Sequence, residues 1–520
     1  MQTQPHSDSP QAAPGPGSPS AVTDGSRTHS GDHGLKPDSL GAPAIAFYII
    51  AAASPLTGVV GLVPIMIGLG NGAGTPGAFI IAAGILLLFA VGYLAMSRHV
   101  ANAGALYAYT TLGLGRVVGL GSAAVTVFAY SCIQFSLYGG FGYYLSSLLH
   151  DAAGLDVPWW VCAIVAMLAC LALGLQGVHA GGVILGVLIT LECTMLLTLG
   201  AGIVFSPDTA AANEGFSLTP FSVPTVFAVG VGVSVMLAHT TFIGFEGSAI
   251  YAEEAKNPRR TIPRATYFAV VFMACVYALT SYLVINAVGV DDAQAVAQKE
   301  SGNLIFFVAD TVLGGWIAHT FQVLIITALF AAIVTFHNNL SRYLYALGRQ
   351  GLVWNRLGHT RKVHKTPHVA ATVQTISAAA VVAGFAIAGL DPYTTLFTWL
   401  AGIGTVGIVT AQILAGVAIF VFFRRNDVDK RRWHTVIAPL LAIAGLGSIL
   451  VLALSSLDLL LGASQALTWI LIGLLIFFGL LGSGYALWLR RRSRERYDRM
   501  QVMLTAGEAP SASAADVRNT

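Results

Sequence analysis

The chain has 520 residues, of which 55% are hydrophobic and only 10% charged, and its mean hydropathy is +0.73. A water-soluble domain needs a more highly charged surface, so this composition excludes a soluble protein and indicates an integral membrane protein. The formal net charge of +3 is small, and no nucleic-acid partner is expected.

Apolar segments fill most of the chain. Residues 1–40 are rich in Ser, Pro, Gly, Asp and His and cannot bury a core, which predicts a disordered N-terminal tail. A membrane domain is predicted over residues 41–490 and a polar C-terminal tail over residues 491–520. A window of about 20 residues gives twelve apolar segments, at 44–69, 77–97, 117–148, 157–176, 181–205, 225–252, 264–289, 312–347, 368–390, 393–423, 436–457 and 464–489.

The charges between these segments alternate from gap to gap. Lysine and arginine cluster in alternate gaps, and the remaining gaps carry aspartate and glutamate, with Lys299 as the basic exception. Basic loops stay in the cytoplasm, so we expect both tails to be cytoplasmic and the protein to be a multi-pass protein of the cell membrane. We call the two faces the basic side and the acidic side. The arginine run after Arg490 either fixes this topology or also contacts anionic membrane lipid.

The first predicted span carries helix breakers near its middle, at Pro55, Gly58, Gly61 and Pro64. Proline removes a backbone donor and glycine adds freedom, so the helix should open around Ser54 to Val59. Freed backbone groups at such an opening can bind the charged groups of a substrate. The alternative is a packing kink, because Gly and Pro are common in membrane helices. The predicted binding residues here are Ser54, Thr57, Gly58 and Val59.

The sixth predicted span carries a second break, where Gly244 and Gly247 bracket the lone carboxylate Glu246. An ionisable group at membrane depth is costly and usually faces a cavity or pathway. Two broken spans five segments apart are typical of an inverted-repeat transporter. Glu246 either contacts a substrate amine or a proton, or is a buried glutamate bonded to the opened first helix. The predicted binding residues here are Thr241, Phe242, Ile243, Gly244 and Glu246.

Two stretches resemble a known family. TTFIGFEGSAIYAEEAKNPRRTIPR, from Thr240 to Arg264, resembles the sixth helix and following loop of the amino acid/polyamine/organocation permeases, and NNLSRYLYALGRQG, Asn338 to Gly351, resembles the end of their eighth helix. The chain departs from the family's Gly-Ser/Thr-Gly triplet, with Thr57-Gly58-Val59 at that point. The resemblance implies an all-α, LeuT-like fold of twelve transmembrane helices, with two inverted five-helix repeats and two C-terminal helices. It also implies that the third helix lines the cavity, through Tyr130 and Gln134.

Glu192 is a second carboxyl group inside a predicted span, the fifth. By resemblance, some permeases hold a lysine near this position in place of a coupling sodium ion. Burial favours the neutral form of a carboxyl group, which could then exchange a proton during transport. The alternative is a structural glutamic acid bonded to the carbonyl of Leu188, one helical turn back. Thr335 is followed by Phe336 and not by a second hydroxyl, which favours protons or exchange over sodium.

The sequence therefore predicts a secondary active transporter that takes up an amino acid or related organic amine as a proton symporter. The alternatives are an exchanger of such solutes, or a sensor or interaction protein of the same fold. An enzyme is not expected, because there is no phosphate loop and no nucleophile–base pair. No metal and no cofactor are expected, since the five cysteines all lie in apolar spans at no metal-ligand spacing.

Overall fold

The structure, a computed structural model, describes residues 41–98, 105–176, 182–246, 255–349, 351–360, 366–426, 428–462, 465–494 and 496–497. The predicted N-terminal tail and nearly all of the C-terminal tail lie outside the described residues, as does Gly247. Every regular element in the described part of the chain is helical, and no β-strand occurs there. The predicted all-α class is thereby confirmed.

The helices follow one another with short connections. In the first half of the chain they are α1 Ala42–Ala53, α2 Val63–Leu69, α3 Thr75–Met96, α4 Ala105–Leu114, α5 Arg116–Ala153, α6 Trp159–Gln176, α7 Gly182–Phe205, α8 Ala210–Glu214, α9 Val223–Val226 and α10 Val231–Thr240. In the second half they are α11 Pro258–Val288, α12 Ala293–Glu300, α13 Leu304–Leu313, α14 Gly315–Arg349, α15 His368–Ile387, α16 Thr398–Arg425, α17 Ala438–Ser455, α18 Leu457–Leu460 and α19 Gln465–Arg492.

Three π-helical turns and four 3₁₀ turns lie wholly within the described residues. The π-helical turns are Thr57–Leu62, Pro392–Phe397 and Trp433–Ile437. The 3₁₀ turns are Gly72–Gly74, Thr219–Phe221, Ser301–Asn303 and Asn355–Gly358. Single π turns inside longer helices are frequent at functional sites.

Ten helices among the described residues are long and apolar enough to cross a membrane. They correspond to ten of the twelve predicted segments. The other two predicted spans, the first and the sixth, contain shorter apolar helices. The first span contains α1 and the helical segment Thr57–Leu69, and the sixth contains Val231–Thr240. Both are interrupted, as their glycines and prolines predict. The total of twelve spans and the inverted repeat stay predictions.

The structure adds helices that hydropathy alone does not predict. Helix α11 begins at Pro258, six residues before the predicted span, because Pro258 occupies its first turn and charged residues follow. The loop after α11 contains α12, which packs against α2. There the side-chain amide of Gln298 donates to the Gly68 carbonyl at 2.8 Å, and Gln294 donates to the same oxygen at 3.3 Å. These bonds cap the end of the first span.

The long helix α5 is the central element of the bundle. It packs against α6, α14, α16 and α19, and α11 packs against α1 and α3. The two interrupted spans lie between these groups of helices, so that both breaks face buried side chains.

Candidate functional site

The first break is a single left-handed residue followed by a π-helical turn. Helix α1 ends at Ala53, and Ser54 has φ +46°, a conformation uncommon for a residue with a side chain. Pro55 has no N–H to donate, and the next donor, the Leu56 N–H, bonds to Oε2 of Glu192 at 3.1 Å. The Ser54 hydroxyl lies 3.5 Å from the same oxygen and 2.8 Å from the Thr57 hydroxyl. A carboxyl group on α7 therefore binds the N-terminus of the resumed helix.

The second break begins where α10 ends, at Thr240. Gly244 has φ +113°, which only glycine adopts without strain, and its N–H donates to Oε2 of Glu246 at 3.0 Å. The Tyr130 hydroxyl on α5 donates to Oε1 of Glu246. The Tyr93 hydroxyl on α3 donates to the backbone carbonyl of Glu246 at 2.8 Å. Glu246 thus connects the second break to α5 and α3, and not to the opened first helix.

Tyr277 on α11 links the two breaks. Sequence reasoning missed this residue, because an aromatic residue in an apolar span usually belongs to the core. Its hydroxyl lies 3.4 Å from the carbonyl of Ala53 and 3.4 Å from the carbonyl of Thr241. These are end carbonyls of α1 and α10, which have lost their helical partners. A Cβ at Gly58 would lie 2.6 Å from Cε1 of the Tyr277 ring. Glycine at position 58 is what lets this ring reach both breaks.

A cavity of about 40 Å³ lies between the two breaks, and we call it the central cavity. A water molecule needs about 10–15 Å³ of such space, so the cavity has room for a few waters. No described residue with an ionisable side chain lines it. The lining consists of Ala53, Ser54, Thr57, Gly58, Leu62, Ile133, Ser136, Leu137, Thr240, Thr241, Ile243, Ala332, Phe336, Phe397 and Ala401.

The predicted binding residues divide into two groups. Ser54, Thr57, Gly58, Thr241 and Ile243 line the central cavity. The structure does not bring the others to its surface: Val59, Tyr130, Gln134, Phe242, Gly244 and Glu246 are absent from the lining. The Gln134 amide instead donates to the carbonyl of Ile333 at 3.2 Å.

Glu192 is buried, with 4% of its surface exposed, and is not part of the cavity lining. Its carboxyl group bonds across to the first break and not to Leu188 on its own helix. Ser54 contacts the Glu192 carboxyl group and also bonds to Thr57. Because both of these residues line the cavity, they connect Glu192 to the cavity wall. The alternative that it bonds within α7 is therefore not what the structure shows.

The described residues contain no group of three or more His, Cys, Asp or Glu side chains that could hold a metal ion. The hydroxyls of Thr327 and Thr335 on α14 bond to carbonyls of their own helix, at 2.8 and 2.9 Å. Serine and threonine hydroxyls in helices commonly donate to a backbone carbonyl one turn back.

Two interrupted apolar spans whose breaks both line one cavity are the construction of a membrane transporter. The chain belongs to the amino acid permease family, whose model matches residues 44–481, and hence to the amino acid/polyamine/organocation superfamily suggested by its motifs.

Three relatives show the range of this family. The branched-chain amino acid permease BcaP of Bacillus subtilis is 24% identical over 79% of this chain and 87% of its own length. The serine/threonine exchanger SteT of the same organism is 23% identical over 72% of this chain and 81% of its own length. The vacuolar cationic amino acid transporter 2 of Arabidopsis thaliana is 24% identical over 66% of this chain and 53% of its own length. The chain is thus a multi-pass membrane protein related to amino acid permeases.

Proposed function

We propose that the protein is a secondary active transporter that takes up a neutral amino acid with an aliphatic side chain, driven by a proton gradient. The observation that carries this proposal is the central cavity, which lies between both breaks and is lined by no described ionisable side chain. A cationic side chain or a polyamine would leave an unpaired charge in such a cavity, at a high cost in free energy.

The cavity lining offers both hydroxyl groups and apolar side chains. The hydroxyls of Ser54, Thr57 and Thr241 lie at the breaks, and the carbonyl ends of α1 and α10 point toward the same region. The negative ends of helix dipoles attract a cation, so they suit the substrate ammonium group, and the hydroxyls suit its carboxylate. Ile133 and Leu137 then face the aliphatic side chain.

Glu192 supports proton coupling. An ionised carboxylate accepts hydrogen bonds about twice as strongly as a neutral acceptor, so a proton on Glu192 weakens its hold on Leu56 and Ser54. Ser54 lines the cavity, so a change in its bond to Glu192 directly affects the proposed substrate site. Both carboxylate oxygens of Glu246 already have partners in its own break and on α5, which favours a closing role for that residue.

The sidedness follows from the charge pattern. Arg116 opens α5 and Arg425 closes α16 on the basic side, which we place in the cytoplasm of the cell membrane. The cavity then opens alternately to the acidic side for uptake and to the basic side for release.

Reconstitution into liposomes tests the proposal against its alternatives. A proton symporter accumulates labelled L-leucine when the lumen is made alkaline relative to the medium. An exchanger takes it up only into liposomes preloaded with unlabelled amino acid, and this outcome would replace symport by exchange. A sensor or interaction protein does neither, and that result would contradict transport altogether.

A further inference from the structure

A column of aromatic rings separates the central cavity from the acidic side. Phe397 lines the cavity, and the ring of Tyr393 stacks on it with centroids 5.7 Å apart and planes 16° from parallel. Tyr143 stacks on Tyr393 at 5.0 Å, and Tyr144 meets Tyr393 edge-on at 6.0 Å. Phe397 and Tyr393 are each 2% exposed, whereas Tyr143 is partly exposed. The column therefore runs from the cavity toward the surface.

The column is held by polar groups at its edges. Phe397 ends the π-helical turn Pro392–Phe397, and Oδ1 of Asp391 caps this turn by accepting from the N–H groups of Tyr393 at 3.0 Å and Thr394 at 2.7 Å. The Tyr393 hydroxyl donates to the carbonyl of Gly61 at 2.9 Å. Gly61 belongs to the π-helical turn of the first break, so the two turns are tied together by the column.

Glycines on two neighbouring helices make room for the Phe397 ring. A Cβ at Gly61 would lie 3.0 Å from Cζ of Phe397, and a Cβ at Gly140 would lie 2.9 Å from its Cδ2. At the preceding position of α5, a Cβ at Gly139 would lie 2.9 Å from Cγ of Leu396. The ring therefore lies tightly between the first span and α5 at the cavity lining.

We propose that Phe397 is the outer lid of the central cavity and the residue that sets the largest side chain the cavity accepts. This inference rests on the proposed function, because it takes the cavity to be the substrate site. The lid opens when the Tyr393 hydroxyl leaves Gly61 and the turn capped by Asp391 moves away as a unit. A branched aliphatic side chain packs against the Phe397 ring, whereas an aromatic side chain needs the space that the ring occupies.

Thiol accessibility tests the lid without requiring transport. Ser136→Cys places a reporter in the cavity, in a background whose five native cysteines are replaced by alanine, and an impermeant thiol reagent is added to intact cells. Phe397→Ala should speed labelling about tenfold, the change expected when one aromatic stacking contact is lost. Phe397→Leu should give a smaller increase in the labelling rate. It replaces Phe397→Ala as the test if the alanine variant does not fold. Phe385→Ala is the matched control, because Phe385 contacts Trp399 on α16 at 6.1 Å but does not line the cavity.

The size limit is read from inhibition of labelled L-leucine uptake. Phenylalanine and tryptophan should inhibit the Phe397→Ala variant and not the parent, while Phe385→Ala keeps the parent profile. Unchanged labelling together with an unchanged inhibitor profile in Phe397→Ala would overturn the inference, as would equal effects of Phe385→Ala. If the parent takes up no amino acid, the proposed function fails, but the labelling ratio still decides whether Phe397 is the lid.

Discussion

Glu192 is the side chain to which we assign proton coupling. It lies on α7 and bonds to Leu56 and Ser54 in the first span, 136 and 138 residues away in sequence. The sequence identifies Glu192 as a carboxyl group in an apolar span, but not its partners, because these depend on how α7 packs against α1. Its effect on the cavity must pass through Ser54 and Thr57, since Glu192 itself is not in the lining.

Replacing Glu192 by glutamine tests this coupling. Glutamine keeps the shape and can still accept from Leu56, but it cannot release a proton. We expect Glu192→Gln to lose accumulation driven by a pH gradient while keeping exchange in preloaded liposomes. Uptake by the unmutated protein should fall as the external medium is made alkaline, because the driving gradient falls. Glu214→Gln, in an exposed position, is the control. Accumulation by Glu192→Gln with an unchanged pH profile would show that the glutamate is structural.

Gly58 is a residue whose role depends on close contact. Because a Cβ there would lie 2.6 Å from the Tyr277 ring, Gly58→Ala should displace the ring or the first span. A displacement of about 1 Å at a functional site can cost on the order of 100-fold. We expect Gly58→Ala to insert into the membrane normally and to lose substrate affinity by about that factor. Gly84→Ala is the control, since nothing lies within 4 Å of a Cβ there. Equal affinities of the two variants would contradict the site.

At the scale of elements, different contacts bound the cavity on its two sides. On the basic side, Tyr130 and Tyr93 bond to Glu246 and fix the second break against α5 and α3. On the acidic side, the ring column of Phe397 and Tyr393 lies above the cavity. Tyr130 and Tyr144 are 14 residues apart on α5, so the two closures are about 21 Å apart along that helix. The cavity therefore lies between two sets of contacts, one on each side.

The inner closure can be weakened by removing one hydroxyl group. Tyr130→Phe leaves Oε1 of the buried Glu246 carboxyl group without its donor, which costs about 1–3 kcal/mol of folding free energy. Thermal unfolding of the purified variant should show this loss. Tyr282→Phe is the control, because its ring stacks on Phe221 away from the cavity. If both variants melt at the temperature of the unmutated protein, the Tyr130–Glu246 bond does not hold the closed state.

Elements differ in how far the sequence predicts them. Ten apolar segments correspond to helices long enough to cross a membrane, since hydropathy over about 20 residues reports the length of a span directly. The interruptions at Ser54 and after Thr240 follow from proline and glycine chemistry. Helix α12 and the π turn that presents Phe397 do not follow, because their stability comes from contacts with the first span, such as Gln298 to Gly68 and Tyr393 to Gly61.

For the whole molecule, the family and the all-helical fold could be predicted from motifs and composition. Some of the cavity residues in the first and sixth spans could be predicted, among them Ser54, Thr57 and Gly58. Contributions from α14 and from the π-helical turn before α16, such as Phe336 and Phe397, were not predicted. An apolar side chain in an apolar span gives no sign of which neighbour it faces.

The orientation of the whole molecule is testable with two lysines. Lys299 on α12 has a side chain that is 82% exposed, and Lys256 precedes α11 at an exposed position. We expect Lys299→Cys to react with an impermeant thiol reagent from outside the cell, and Lys256→Cys only in inverted vesicles. Both variants are made without the native cysteines. Reaction of both positions from one side would contradict the predicted topology.

The central claim is that a neutral amino acid binds between the two breaks, and equilibrium binding to the purified protein tests it most directly. Labelled L-leucine is competed with unlabelled valine, isoleucine, arginine and putrescine, on the unmutated protein and on Gly58→Ala. We predict that valine and isoleucine displace leucine, that arginine and putrescine do not, and that Gly58→Ala binds at least tenfold more weakly. Displacement by arginine or putrescine as strong as by valine, or unchanged binding by Gly58→Ala, would contradict the account.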